Sequence, residues 1–170
     1  MSRARAPYRR FLWGETRLLM DYLQGVYPGQ RWHTEMRVGT TAAFEAKKDL
    51  SPADRKILRA WNGRADGIVV LQNEIIAIEP GIRRILEKVG CLLAVLNDIP
   101  DTEDLGPARH LPLRGELVAP YRHLRAERVC EQVGIRYVYY PVPWIDRALL
   151  DQERQFRPQS ISGVRQTFVQ

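Results

Sequence analysis

The sequence predicts an α/β (α+β) domain built on a central mixed β-sheet of about five strands flanked by helices. Three observations predict it. Two unbroken apolar runs, Ile68-Val69-Val70-Leu71 and Ile75-Ile76-Ala77-Ile78, flank Gln72-Asn73. Runs without polar alternation suit strands buried on both faces, and the pair between them supplies a hairpin turn. An apolar stripe at periods of three and four then follows, Ile82, Ile85, Leu86, Val89, Leu92, Leu93 and Leu96, which predicts a helix from about 82 to 96 packed on that hairpin. Farther on, 114–119, 125–133 and 135–142 read as strand, helix and strand, the helix stopped by Gly134.

The remaining elements follow in chain order. Arg3, Arg5, Arg9 and Arg10 with Pro7 make residues 1–11 a basic, irregular arm, suited to nucleic acid or to a neighbouring subunit. Leu18, Leu19, Tyr22, Leu23 and Val26 keep helical spacing from Trp13 to Tyr27, and Pro28-Gly29 ends that helix. Residues 31–40 place Trp32, Thr34, Met36 and Val38 on one side of a half-buried first strand, with His33 on the wet side. Residues 41–49 are an ambiguous charged connection. Ser51-Pro52 opens a further helix whose stripe is Ile57, Leu58 and Trp61. The stretch 97–113, with three prolines and His110, reads as a long loop with room for a short turn. Leu117 and Val118 lie inside the fourth strand, and Ala126, Val129, Cys130 and Val133 face inward on the next helix. A short helix over 146–152 precedes an extended arm at 153–170. The domain proper is therefore 12–152.

A single domain is the natural count for 170 residues. Hydrophobic content of 45% and charged content of 27% are those of an ordinary globular protein. No apolar run approaches the ~18 residues of a membrane span, so no membrane partner is expected, and the N-terminus lacks the apolar stretch of a signal peptide. Cys91 and Cys130 fall at apolar helix positions and read as core thiols in a reducing compartment, and no Cys/His spacing makes a zinc site. The net charge of +6 favours a polyanion or an acidic partner without locating where it binds.

Chemistry concentrates at the hairpin. Asp66 enters its first run and Glu79 closes the second, so the two carboxylates meet near the sheet edge, where they can share a divalent cation. Helix with Glu15, strand, Asp66 strand, Glu79 strand, helix: this order resembles the PD-(D/E)XK nuclease superfamily over roughly residues 13–150. The resemblance implies a restriction-endonuclease-like core with a pocket at Glu15, Asp66, Glu79 and position 81. In an intact site of that kind the Asp and Glu, with the carbonyl of the next residue (Pro80), hold Mg²⁺, and a Lys two residues after the Glu orients the attacking water. Position 81 is Gly81, expected at an open pocket rim. The Gly-Gln-Leu segment of many relatives stands as Gly90-Cys91-Leu92, without the Gln.

Three readings stay open at this level. The pocket is a vestige and the domain a scaffold. Or another base, Arg83, Arg84, Lys47 or Lys48, has taken over, giving a Mg-dependent DNA endonuclease with a relocated basic residue. Or Asp66-Gly67 is turn chemistry and Glu79 an ordinary strand-end residue, with no site at all. The strand, helix-Gly, strand, Pro-Trp-Ile order further resembles nuclease-like proteins of tailed phages. That resemblance favours the scaffold reading: a structural virion protein with no cofactor, assembled in the host cytoplasm and placed at the head-tail connector or neck. There it would form a homo-oligomeric ring with neighbouring virion subunits through its two arms, with DNA contact through the basic one.

Overall fold

The computed structural model describes residues 6–39, 51 and 63–145, with side chains from Gly14 onward. Helix α1 spans Ala6–Val26, β1 Arg31–Arg37, β2 Arg64–Val70, β3 Ile75–Pro80, α2 Ile85–Asp98, β4 Leu113–Ala119, α3 Leu124–Gln132 and β5 Arg136–Tyr139. The five strands form one mixed sheet in sequence order, antiparallel from β1 to β3 and parallel from β3 to β5. This is the sheet with flanking helices that the apolar pattern predicts.

Both faces of β3 are covered, which is why its sequence carries no polar alternation. On one face Leu18, Leu19, Tyr22 and Leu23 of α1 pack on Val69, Ile76, Ile78 and Val118. On the other, Ile85, Val89, Leu92 and Val95 of α2 pack on Ile68, Ile75, Ala77, Leu117 and Ala119, joined by Ala126 and Cys130 of α3. Close approach sets two glycines. A Cβ at Gly67 would lie 2.9 Å from Leu19 Cδ1, and one at Gly115 would lie 2.8 Å from Leu96 Cδ1.

Several expectations need correction. The irregular basic arm ends earlier than residue 11, because α1 already begins at Ala6, with Pro7 in the first turn where its missing N–H costs nothing. The strand β1 does not keep one face throughout: Trp32 packs with the α1 cluster, Met36 and Val38 with the α2 cluster. The switch falls at Glu35, whose φ of 55° is left-handed. His33 is half-buried rather than on a wet edge, while His110 is exposed. The stretch after α2 is not a plain loop. It forms two 3₁₀ segments, Ile99–Asp101 and Glu103–His110, kinked at Gly106 and held by buried Ile99, Thr102 and Leu105. Cys91, Leu93 and Val133 face solvent, whereas Cys130 is buried. The residues Arg3, Arg5, Lys47 and Lys48, the side chains of Arg9 and Arg10, the helix expected after Ser51 and everything beyond 145 lie outside the described residues.

One buried charge had no counterpart in the sequence reading. Glu116 on β4 is 0% exposed on the α1 face. The Tyr22 and Tyr27 hydroxyls donate to its Oε2 at 2.8 and 2.9 Å, and the Arg136 guanidinium lies 3.4 Å from Oε1. Such a carboxylate survives burial because donors saturate it. Burial first, and Glu116 second, push the Tyr22 and Tyr27 hydroxyls up, so both remain donors.

Candidate active site

Sheet register brings the hairpin acids together. Gly67 pairs with Ile78, and one step further along the same antiparallel register sets Asp66 across from Glu79. Both follow the alternation of Ile68 and Ala77 and therefore project on the α2 face. Thr34 pairs with Gly67 and Met36 with Ala65, so Glu35 occupies the position opposite Asp66 on β1. It is exposed and forms an ion pair with Arg64.

A lysine completes the cluster, and it comes from the helix. Lys88, one turn into α2, places its ammonium 2.9 Å from Glu79 Oε1, 3.3 Å from Glu15 Oε2 and 3.9 Å from Asp66 Oδ2. The side chains of Glu79, Glu15 and Lys88 are 6, 13 and 20% exposed, whereas Asp66 is 36% exposed and forms the mouth of the cleft. Glu15 reaches over from α1. Its Oε1 accepts from the Ile82 amide at 3.1 Å and, more weakly, from the Arg83 amide at 3.5 Å. Tyr121 holds the same turn by donating to the Ile82 carbonyl at 2.9 Å. Glu15 thus fixes the start of α2 with one oxygen and faces the lysine with the other.

The electrostatics follow from burial. Desolvation, then the neighbouring Asp66, push the Glu79 carboxyl up to about 7, against a smaller opposing pull from Lys88. Asp66 is also raised, by desolvation first, with Lys88 opposing. Burial alone would depress the Lys88 ammonium, but Glu79 and Glu15, with Asp66, reverse this and hold it above the ordinary lysine range. With all three carboxylates ionised, the set around this one ammonium would carry a formal charge of −2, a state that Glu79 reaches only above about pH 7.

The resemblance implies a divalent ion, and the donor set fits one. Asp66 and Glu79 are hard oxygen donors of the kind Mg²⁺ or Mn²⁺ takes, and the uncompensated charge is that of a divalent cation. Glu15 is a poorer ligand because the Ile82 and Arg83 amides engage one of its oxygens. Among the described residues no three His, Cys, Asp or Glu side chains already sit at mutual metal-binding geometry. The ammonium lies between these carboxylates instead.

Position 81 is not the open rim expected of it. Gly81 is buried, and a Cβ there would meet Ile85 Cδ1 at 2.9 Å, Ile85 Cγ1 at 3.4 Å and Leu117 Cδ1 at 3.6 Å. The α2 helix packs where a strand-borne lysine would have to leave the sheet. Of the replacement bases expected from sequence, Arg83 is half-buried and Arg84 exposed, and it is Lys88 that pairs with Asp66 and Glu79. Arg84 pairs with Glu87 at the surface. Lys88 falls outside the apolar stripe that places this helix, so periodicity alone puts it on the wet side. A signal for it existed, because Lys88 borders the stripe between Ile85 and Val89, one turn beyond Arg84. Cys91, one turn further, is exposed, yet the partial desolvation of its thiol and then Glu79 raise it, which disfavours a thiolate.

No family model matches the sequence, and no curated protein does either. Among solved structures, the chain is similar to EndoMS in a complex with double-stranded DNA, at 20% identity and a TM-score of 0.43 over 76% of this chain and 44% of that one. It is likewise similar to a repair endonuclease from Pyrococcus abyssi, at 16% identity and a TM-score of 0.43 over 84% of this chain and 49% of that one. This chain therefore spans about half the length of each.

Proposed function

We propose that this protein is a divalent-metal-dependent DNA endonuclease whose basic group has moved from the strand to the helix, at Lys88. One observation carries the reading: the Lys88 ammonium lies within 4 Å of Glu15, Asp66 and Glu79, inside a cleft whose acids come from three different elements. The scaffold reading rested on a cleft with acids and no cation. Lys88 takes that ground away, and the arms proposed to build a virion ring lie almost wholly outside the described residues.

Asp66 and Glu79 would hold the ion, which when bound polarises a phosphate and lowers the pKa of a water. Lys88 supplies a permanent positive charge against the negative charge that develops on the phosphate during attack, and an N–H donor to orient the water. Buried to 20% exposure, that charge acts in a lower dielectric than at the surface. Glu15 positions the lysine and the start of its helix. The net charge of +6 suits a nucleic-acid substrate and sets no sequence preference.

Supercoiled plasmid with Mg²⁺ or Mn²⁺ tests this. The wild type should nick or linearise it, EDTA should stop the reaction, and Lys88→Met and Asp66→Ala should each lose at least about a hundredfold in rate, the size of removing one charge-stabilising donor. Cleavage by Lys88→Met at the wild-type rate refutes the assignment.

A further inference from the structure

We propose that Lys88 is an internal competitor for the metal, so that a divalent ion enters the cleft only by displacing this ammonium from Glu79 and Asp66. The inference rests on the metal-dependent reading above and adds to it a regulation of the same site.

The geometry gives the argument. An ion held by Asp66 and Glu79 needs the carboxylate oxygens that face the cleft. Lys88 bonds one of these, Glu79 Oε1, at 2.9 Å and stands 3.9 Å from Asp66 Oδ2. An ammonium and a divalent cation sharing those oxygens would be like charges in contact within a partly desolvated cleft, so one must move. The lysine is the part able to do so. Its four-carbon stem carries a point charge on rotatable bonds, and its side chain is already 20% exposed beside the more open Asp66. Helix α2 need not shift, because Ile85, Val89 and Leu92 remain seated on the sheet. Glu15 stays behind on the Ile82 amide, and its Oε2, now 3.3 Å from the ammonium, is the partner that Lys88 can keep. The lysine therefore has two uses: it neutralises the acids in one arrangement and is available to substrate in the other.

Mn²⁺ affinity, measured by electron paramagnetic resonance or calorimetry on the full chain without DNA, tests this apart from catalysis. Lys88→Met should bind Mn²⁺ about tenfold or more tightly than wild type, the size of one charge-assisted hydrogen bond that no longer has to be broken. Equal or weaker binding by the variant overturns the inference, and so does failure of both proteins to bind. Should Lys88→Met not fold, the ε-methylene carbon signal of Lys88 in wild-type protein, assigned by its loss in Lys88→Arg, should shift on saturation with Mg²⁺. A signal that stays put overturns the inference. The plasmid assay separates the two claims. A variant that binds metal more tightly yet cuts at the wild-type rate refutes the catalytic role of Lys88 while leaving the competition intact. A variant that neither binds more tightly nor cuts does the reverse.

Discussion

Replacing Glu79 with Gln should make the protein more stable above neutral pH while abolishing the metal binding proposed for it. In the unfolded chain Glu79 titrates near 4.5, and in the fold near 7. Between those values the folded state keeps a proton that the unfolded state has lost, so stability falls as pH rises through the window. At ~1.4 kcal/mol per pH unit the interval is worth on the order of 3 kcal/mol once pH passes about 7.5. Gln keeps the shape and still accepts from Lys88, and the pull of Lys88 on the carboxylate is already contained in the value near 7. The variant should therefore match the wild type at or below about pH 5 and exceed it by about 3 kcal/mol at pH 8, a large share of a typical domain's stability. Urea midpoints followed by circular dichroism at pH 5, 6, 7 and 8 in EDTA would measure this. Parallel pH slopes for the two proteins, or a wild type that gains stability from pH 5 to 8, would refute the reasoning. Adding Mg²⁺ at pH 8 should stabilise the wild type through mass action and leave Glu79→Gln unmoved.

Other outcomes follow from the same contacts. Gly81→Lys, alone or with Lys88→Met, should fail to restore or replace the basic group and should cost about 2–3 kcal/mol by overpacking against Ile85 and Leu117, read as a lowered Tm. Plasmid cleavage by the wild type should rise with pH through about 7 as Glu79 gives up its proton, and a flat profile from pH 6 to 8 would remove Glu79 from the metal site. Arg84→Gly should stabilise by roughly 0.5–1 kcal/mol, because Arg84 precedes α2 at φ 50°, ψ 41°, a left-handed conformation that costs a side chain and not a glycine. Tyr22→Phe should cost about 1.5–3 kcal/mol by taking a donor from the fully buried Glu116, with no loss of plasmid cleavage, since it lies on the opposite face of the sheet.

Much of the architecture could be read from residue order, and the reason is local. Ile68–Leu71 and Ile75–Ile78 carry no polar residue because both faces of that hairpin are covered, and such runs are visible without knowing what covers them. The meeting of Asp66 and Glu79 was legible for the same reason, since a two-strand register follows from the turn. Lys88 was not. Its neighbours Arg84 and Glu87 are at the surface, and only the seating of α2, set by Ile85 against Leu117 and by Glu15 on the Ile82 amide, turns the lysine inward. Long-range packing decided that, and periodicity does not report it. Glu116 escaped notice likewise, because the tyrosines that satisfy it lie 94 and 89 residues away in sequence. The switch of faces at Glu35 depends on one left-handed residue of a type that gives no advance sign of it.

Lys88 rides on a helix, whereas Asp66 and Glu79 are pinned in strands. The charged cluster is thus split between a rigid frame and a rod whose near end is clipped by Glu15 and Tyr121. Loosening that clip, by a change as small as Tyr121→Phe, would let the cation drift while the acids held their spacing. The cleavage proposed for this cluster should then vanish from a molecule that still melts as one unit and whose sheet is undisturbed.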